Sequence, residues 1–292
     1  MKYLLTLLIT LPSLAFSQRN WDAIEVKVNK VSDNISYLVG SGGNIGVIHG
    51  NDGVLIIDDQ FAPLSEKIKQ AVKTLSSEDI KYVVNTHYYG DHSGGNENFK
   101  NDGAIIVAQD MVRERLSTTF TNEVFGREMP AKPDSYLPTI TFSKDLTFHF
   151  NDEEIQFVHS PSAHTDGDAI VHFKTSNIIH AGDCFVRYGY PYIDISARGS
   201  IDGMIDAQRM LLKIANAETK IIPGHGELAS IKEVQELLDM LLETKKIVSE
   251  AKDSGESLGE LVDRKPFAKF HEKWSGSFID SDLFVKLIYE SL

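Results

Sequence analysis

Histidine and aspartate residues recur at four places in this sequence, each time shortly after a run of residues typical of a β-strand. The densest place is residues 87–92, which read His-Tyr-Tyr-Gly-Asp-His and follow the strand-like run 81–86. Loops that leave parallel strands at one edge of a sheet converge on a common crevice. The chain is therefore predicted to fold as an α/β protein with a site at the carboxyl ends of its strands.

The other three places have the same context. Ser-Ala-His-Thr-Asp-Gly-Asp at 162–168 follows the run 155–159, Ala-Gly-Asp at 181–183 follows 177–180, and Pro-Gly-His-Gly at 223–226 follows 220–222. The small residues beside each donor allow a sharp bend and leave room for a ligand. Because imidazole nitrogen and carboxylate oxygen are common metal donors, the pattern predicts one metal centre built from all four loops.

The order of these donors resembles the metallo-β-lactamase superfamily, whose hallmark is HxHxDH followed by a later His, an Asp and a final His. The match of order and context extends over roughly residues 35 to 230. The resemblance implies a four-layer αββα sandwich, with two sheets back to back and helices outside. It also implies that Asp58, after the run 53–57, is the early aspartate that supports the metal loop.

The resemblance further implies two adjoining metal sites that share one carboxylate. The implied ligands are His87 and His164 for site 1, Asp91, His92 and His225 for site 2, and Asp183 as the bridge. The expected metal is zinc, as one or two ions. A divalent ion lowers the pKa of a water molecule from about 15.7 toward about 7 and polarises the bond under attack. Asp91 is the candidate catalytic residue, because a carboxylate there can orient the water and accept its proton.

One position departs from the family pattern, because Tyr89 stands where the family has its second histidine. A phenol, with an ordinary pKa of about 10, must lose its proton before it binds a cation well. Three roles are open. Tyr89 ligates as a phenolate, which suits iron better than zinc; it hydrogen-bonds a water in the site; or site 1 is weak or empty. An enzyme with a single metal ion is thus an alternative to one with two.

The remaining histidines and the single cysteine are predicted to be structural. The histidines outside the four clusters are His49, His149, His159, His172, His180 and His271. His159 and His180 lie nearest to the clusters in sequence and are the ones that could orient a ligand from behind. Cys184 follows Asp183, and we interpret it as a buried thiol rather than a ligand, since chain neighbours usually point apart.

The charge and the aromatic segments bear on the partner. The net charge of −13, from 42 acidic and 29 basic residues, argues against binding to nucleic acid or to an anionic membrane. A small-molecule substrate is expected instead. Residues 117–138 and 187–192 are rich in aromatic side chains, which either line its pocket or pack on the domain surface; on the first interpretation Tyr188, Tyr190 and Phe125 are candidate substrate-binding residues.

Residues 1–17 have the features of a secretory signal: Lys2, an apolar run over 3–11, and small residues at 15 and 17. Cleavage is expected before Gln18, which places the mature protein in the periplasm or outside the cell, free of the membrane. Residues 18–292 are expected to form one domain with a helical C-terminal region from about residue 230.

Local patterns predict individual elements. Strands are predicted over 24–31, 34–39, 45–49 and 53–58, and helices over 63–75 and 202–215, the latter capped by Ser200 or Asp202. Asn151-Asp152 is predicted to be a hairpin turn. The glycine-rich segment 40–46 lacks the third glycine of a dinucleotide-binding loop and is also predicted to be a hairpin turn.

The favoured function is that of a secreted metal-dependent hydrolase that cleaves an ester, lactone, thioester or β-lactam amide bond of a small organic substrate. One alternative is a phosphodiesterase of the same fold, which stays compatible with the acidic charge because a metal centre dominates the local field. The other is a weak or inactive member that only binds a metal or ligand, in which Tyr89 marks lost catalysis.

Overall fold

A computed structural model describes residues 19–292. The predicted signal segment and its cleavage position before Gln18 lie outside the described residues. The strands of the described part are β1 (Lys27–Lys30), β2 (Ile35–Val39), β3 (Ile45–Gly50), β4 (Gly53–Ile57), β5 (Ile80–Asn85), β6 (Ile105–Gln109), β7 (Phe120–Asn122), β8 (Arg127–Met129), β9 (Ile140–Phe142), β10 (Asp145–Phe150), β11 (Glu153–His159), β12 (Ala169–Phe173), β13 (Ile178–His180) and β14 (Lys220–Ile222).

The helices alternate with these strands and then dominate the C-terminal part. They are α1 (Ser65–Lys73), α2 (Gly90–Ser93), α3 (Asn96–Asn101), α4 (Asp110–Ser117), α5 (Ile201–Ile214), α6 (Ile231–Asp253), α7 (Leu258–Asp263), α8 (His271–Trp274) and α9 (Ser281–Ser291). Within residues 19–292, none of the helices has both the length and the apolar character that crossing a membrane requires.

The strands form two large sheets and one short hairpin. The first sheet has the order β1-β2-β3-β4-β5-β6-β9, the second has the order β10-β11-β12-β13-β14, and β7 pairs only with β8. In the first sheet β1 to β4 are antiparallel, and β5, β6 and β9 then join in parallel. In the second sheet only the β13–β14 pair is parallel.

Three hydrophobic clusters show how the layers stack. Between the two sheets, residues such as Ile57 and Val84 of the first pack with Phe157 and Val171 of the second. The outer face of the first sheet packs against α1 and α3, and the outer face of the second packs against α5, α6 and α9. The predicted four-layer αββα sandwich is confirmed, and each large aliphatic residue buried in it contributes about 1.5 to 3 kcal/mol.

Local predictions agree with the observed elements, with small shifts at their ends. The helix predicted over 63–75 is α1, which begins at Ser65 because a 3₁₀ turn over Ala62–Leu64 precedes it. The turn between β10 and β11 has φ values of 56° at Asn151 and 60° at Asp152, the left-handed pair that a two-residue hairpin needs. Of the two candidate caps of α5, Ser200 is the one whose side chain accepts a hydrogen bond from the Gly203 backbone.

Candidate metal centre

The loops after the strands bring the predicted donors to one place. Their positions in the fold are the loop after β5 for His87, α2 for Asp91 and His92, the loop between β11 and β12 for His164, the 3₁₀ turn after β13 for Asp183, and the loop after β14 for His225. Because β5 is in the first sheet and β13 and β14 are in the second, the centre lies where the two sheets meet at their edge.

His92 and Asp183 lie at the middle of this centre. Nε2 of His92 is 3.3 Å from Oδ1 of Asp183 and 3.2 Å from Nε2 of His225. Nε2 of His225 is in turn 3.3 Å from Oδ2 of Asp91, and Nε2 of His164 is 3.9 Å from Oδ2 of Asp183. Two sets, one of His87, His92 and Asp183 and one of Asp91, His92 and His225, each place their donor atoms within 4.8 Å of one another.

Three of these donor atoms are buried without a hydrogen-bond partner. Nε2 of His87 and Nε2 of His164 make no hydrogen bond with any part of the chain that the structure describes, and both rings are almost fully buried. A buried polar group left unsatisfied costs about 1 to 3 kcal/mol. Oδ1 of Asp183 also makes no hydrogen bond, although it lies 3.3 Å from His92. Unpaired imidazole nitrogen and carboxylate oxygen atoms that face one another fit a bound metal ion.

The other ring nitrogen of three of the four donor histidines contacts a polar group of the protein. Nδ1 of His92 lies 2.7 Å from Oδ2 of Asp58, and Nδ1 of His87 lies 3.0 Å from Oγ1 of Thr86, which donates to the same Asp58 oxygen. Nδ1 of His164 donates to the Tyr192 carbonyl at 2.9 Å. Contacts of this kind orient a ligand ring and leave Nε2 for a metal. Asp58 thus supports two donor rings at once, one of them through Thr86, whose part was not evident from the sequence.

The charges of the centre suit a cation. Burial lowers the pKa of His87 far below its ordinary value, with His92 adding to the effect, so this ring is a neutral imidazole. Burial alone would raise the pKa of Asp183, but His225 and His92 hold it well below the usual range, and Asp91 is lowered in the same way by His92 and His225. Burial alone would lower the pKa of His92, but Asp183, Asp58 and Asp91 raise it well above its ordinary value. A metal ion bound at this ring would therefore displace a proton, because divalent metals bind neutral imidazoles and charged carboxylates.

The Tyr89 hydroxyl is hydrogen-bonded to Asp194 and to none of the metal donors. The Tyr89 hydroxyl donates to Oδ2 of Asp194 at 2.7 Å, and the Tyr88 hydroxyl donates to the same oxygen at 2.5 Å. Asn122 contributes a further contact, with its amide nitrogen 3.4 Å from that oxygen. Burial raises the pKa of Tyr89 well above its ordinary value, and Tyr88 and Asp194 raise it further. Position 89 therefore presents a neutral phenol held by Asp194, a residue that sequence reasoning did not single out.

Two glycines allow the donors to pack closely. A Cβ atom on Gly43 would lie 2.0 Å from Cε1 of His92, and a Cβ atom on Gly224 would lie 2.0 Å from Oδ1 of Asp183. Gly43 also donates its backbone N–H to the Asp91 carbonyl at 3.0 Å. The segment 40–46 connects β2 and β3 as predicted, but its role against the metal centre was missed. The repeated glycines in that segment were the available signal.

A cavity of about 1010 Å³ opens above the centre. Asp91, His164, Asp183 and His225 are among the residues that line it, and segment 117–138 contributes a large part of its wall. Tyr188 and Phe125, two of the candidate substrate-binding residues, line the cavity.

The third candidate, Tyr190, does not line this cavity, and its prediction was wrong. Its side chain is 0% exposed and stacks on Phe284 of α9, with ring centroids 4.7 Å apart. Tyr188 and Tyr192 line the cavity, and in a regular strand Tyr190 would face the same side. Residues 187–192 form no strand, and Tyr190 packs instead into the core between the second sheet and its helices.

The other predicted structural residues are placed as follows. Nε2 of His180 contacts the Asn44 carbonyl at 2.9 Å, and the Asn44 amide donates to the carbonyls of Pro223 and Gly226, which flank His225. Nε2 of His159 contacts the Asp166 carbonyl at 2.9 Å. Cys184 is a buried free thiol, as predicted.

Comparisons with known proteins agree with this geometry. A family model described as the metallo-beta-lactamase superfamily matches residues 38–225. A metallo-beta-lactamase from Pontibacter korlensis is similar in structure, with a TM-score of 0.61, 18% sequence identity, and coverage of 75% of this chain and 99% of that one. The DIM-1 metallo-beta-lactamase has a TM-score of 0.59 and 17% identity, again with 75% and 99% coverage. Identities this low show a shared fold and carry no information on substrate.

Proposed function

The chain belongs to the metallo-beta-lactamase superfamily, and on that premise we propose that it is a zinc-dependent hydrolase of a small organic substrate. The bond cleaved is an ester, lactone, thioester or β-lactam amide. The observation that carries the proposal is the convergence of the histidine and aspartate donors around His92 and Asp183 at the floor of the cavity. A divalent cation held there supplies Lewis acidity and lowers the pKa of water, which is the chemistry that hydrolysis at neutral pH requires.

We propose that the two metal sites are unequal. Site 2 has four protein donors, Asp91, His92 and His225 with Asp183 as the bridge. Site 1 has only His87 and His164 beside Asp183, because the Tyr89 phenol is held by Asp194. The smaller number of protein ligands gives site 1 the weaker affinity. At low metal concentration the protein is therefore a one-metal enzyme.

The chain's own residues position the water and the substrate. Asp91 lines the cavity and its carboxylate is charged, since His92 and His225 hold its pKa down against the effect of burial. A charged carboxylate at the cavity floor accepts a hydrogen bond from the attacking water and then its proton. The aromatic walls above it, including Tyr188 and Phe125, reduce the access of bulk water to the reacting bond.

We also propose that the mature protein, residues 18–292, is a single domain of the periplasm or the extracellular space. The sequence features of residues 1–17 support export. Packing of α6 and α9 with residues of the second sheet in one hydrophobic cluster supports a single domain, because this C-terminal region shares a core with the strands that carry Asp183 and His225.

Metal removal and a substrate panel test the proposed function. Protein stripped with a chelator is expected to lose turnover of chromogenic esters, lactones, thioesters and a cephalosporin, and added Zn²⁺ is expected to restore it. Asp91→Ala should lower kcat by about 100-fold or more, since general acid–base groups contribute about that much. Fully metallated protein that turns over none of the panel, with Asp91→Ala unchanged, would contradict the proposal. Turnover of a phosphodiester alone would replace it with the phosphodiesterase alternative.

Substitutions of Tyr89 test the inequality of the sites. Tyr89→Phe is expected to leave the zinc content unchanged, because the hydroxyl faces Asp194, and to cost about 1 to 3 kcal/mol of stability through the lost hydrogen bond to a carboxylate. Tyr89→His is expected to raise occupancy of site 1 toward a second zinc ion. Elemental analysis across a zinc titration measures the zinc content of both variants, and denaturant unfolding measures the stability of Tyr89→Phe. A loss of zinc in Tyr89→Phe would show that the hydroxyl contributes to metal binding. Equal zinc content in Tyr89→His and the parent protein would show that Tyr89 does not limit occupancy of site 1.

A further inference from the structure

We propose that the cavity binds an amphipathic organic anion, with an apolar or aromatic body and a carboxylate or phosphate group that Arg127 and Lys132 hold. The inference deepens the proposed function, on which it rests, by naming the substrate class of the same site.

The cavity wall is basic although the protein is acidic. The chain carries a net charge of −13. Yet the lining contains four cationic side chains, Arg19, Arg115, Arg127 and Lys132, against one carboxylate outside the metal centre, that of Glu97. The Glu97 carboxylate accepts a hydrogen bond from Ser135. A basic wall on an acidic protein attracts and retains an anion.

Two of the four cations are already engaged by polar groups of the protein. Arg115 forms an ion pair with Asp166, with its guanidinium nitrogen 2.6 Å from the carboxylate, and Arg19 donates a hydrogen bond to Ser41 at 3.1 Å. Arg127 and Lys132 form no ion pair with any residue from 19 to 292. These two are therefore the positive charges that a ligand can use.

The unpaired cations are held next to the cavity by the fold. Arg127 begins β8 of the β7–β8 hairpin, and its register pairs it with Asn122, which also lines the cavity. The ammonium nitrogen of Lys132 lies 5.3 Å from the ring centroid of Tyr136, which is buried in the same wall. A cation over an aromatic face is partly stabilised while it stays accessible to an anion.

Another part of the cavity lining is apolar and aromatic. Phe125 and Phe278 are 50% and 63% exposed, and their ring centroids are 6.3 Å apart. Phe125 also contacts Tyr192, and Phe278 contacts Tyr188, with centroids 5.2 and 5.8 Å apart. Exposed rings grouped at the mouth of a cavity mark a binding surface for an apolar group. The combination of this surface with a free arginine and lysine fits a ligand that has both characters.

Calorimetric binding to the zinc-loaded protein at low ionic strength tests the inference without reference to turnover. The probes are 4-phenylbutyrate, 3-phenylpropyl phosphate and the neutral analogue 4-phenylbutyramide. Replacing both cations in Arg127→Ala/Lys132→Ala is expected to raise the Kd of the anions about fivefold to tenfold, as two partly exposed charges allow, and to leave that of the amide unchanged. Whether the carboxylate or the phosphate responds more strongly identifies the anion.

The matched control is Lys144→Ala/Lys213→Ala, which removes two exposed lysines outside the cavity and changes the net charge equally. Binding of all three probes should be unaffected by it. The inference is overturned if this control weakens anion binding as much, if the amide loses affinity in parallel, or if neither anion binds at millimolar concentration. A protein that binds the anions as described but hydrolyses nothing would contradict the proposed function and leave the anion site in place.

Discussion

Asp183→Asn is expected to strip the protein of bound zinc and to lower kcat/KM by at least about 100-fold, since even residues behind the ligands change metal affinity by 10- to 100-fold. Asp183 is buried and lies between the two proposed sites, with its oxygens 3.3 Å from His92, 3.6 Å from His225 and 3.9 Å from His164. Asparagine keeps the size of the side chain but removes the negative charge that both sites share. The measurements are zinc content by elemental analysis and kcat/KM on whichever substrate of the panel is turned over.

Asp59→Asn is the matched control for this change. Asp59 is also a fully buried aspartate next to the metal loop, and its Oδ1 accepts a hydrogen bond from the Gly95 backbone. Burial raises its pKa well above the ordinary value, and Asp59 belongs to neither donor set of the centre, so asparagine is expected to disturb the metal centre less at position 59 than at position 183. Asp59→Asn is expected to retain its zinc. Equal zinc content in Asp183→Asn and the parent protein would mean that Asp183 is not a ligand.

A stability measurement adds a readout that does not depend on substrate. A ligand that binds only the folded state stabilises it by about 2.7 kcal/mol at a hundredfold excess over its Kd. The parent protein is therefore expected to unfold at a higher denaturant concentration with zinc than with a chelator. In Asp183→Asn this difference should disappear. A difference that persists at full size would indicate that the metal is held elsewhere.

Gly224→Ala is expected to reduce zinc binding and activity nearly as much as loss of a ligand, although it adds a single methyl group. The new Cβ would lie 2.0 Å from Oδ1 of Asp183, 2.6 Å from the carbonyl carbon of Gly182 and 2.7 Å from its oxygen. Gly224 cannot retreat easily, because its N–H is hydrogen-bonded to the carbonyls of Gly182 and Phe185. The clash therefore displaces the carboxylate, and overpacking of this kind also costs about 1 to 3 kcal/mol of stability.

Gly90→Ala provides the comparison, because a Cβ on Gly90 has no other atom within 4 Å although this glycine directly precedes Asp91. It should bind zinc like the parent protein, and because Gly90 lines the cavity without contacting a donor, its kcat/KM should fall far less than that of Gly224→Ala. Zinc content, kcat/KM and the midpoint of thermal unfolding are measured for both variants. Equal zinc content, kcat/KM and unfolding midpoint in Gly224→Ala and Gly90→Ala would contradict the prediction. The backbone around Asp183 would then move enough to accommodate the methyl group despite its hydrogen bonds.

Much of the fold was predictable because its signals are local. The Asn151-Asp152 turn requires two residues that tolerate positive φ, and the cap of α5 requires a hydroxyl three residues before a free N–H. Both depend on interactions within a few residues, which the sequence displays directly. The αββα stacking followed from the family resemblance, and the clusters on both sides of each sheet confirm it.

Other features were not predictable because they depend on residues far apart in the chain. The direction of Tyr89 is set by Asp194, 105 positions later, whose carboxylate also accepts from Tyr88. The burial of Tyr190 follows from contact with Phe284 of the last helix. Nothing in the local sequence around position 89 or 190 distinguishes a tyrosine that faces a cavity from one that faces a carboxylate or a core.

The sequence by itself determined which side chains are available as metal donors, since their identity and the small residues beside them are written in short motifs. Only the tertiary structure decided how many of those donor groups lie together and that Tyr89 is hydrogen-bonded to Asp194. It also decided that Gly43 must leave room for His92 and Gly224 for Asp183. The physical reason is that a side chain adopts the rotamer that its three-dimensional neighbours leave open and stabilise. Those neighbours come from both sheets and from the C-terminal helices, and folding alone brings them together.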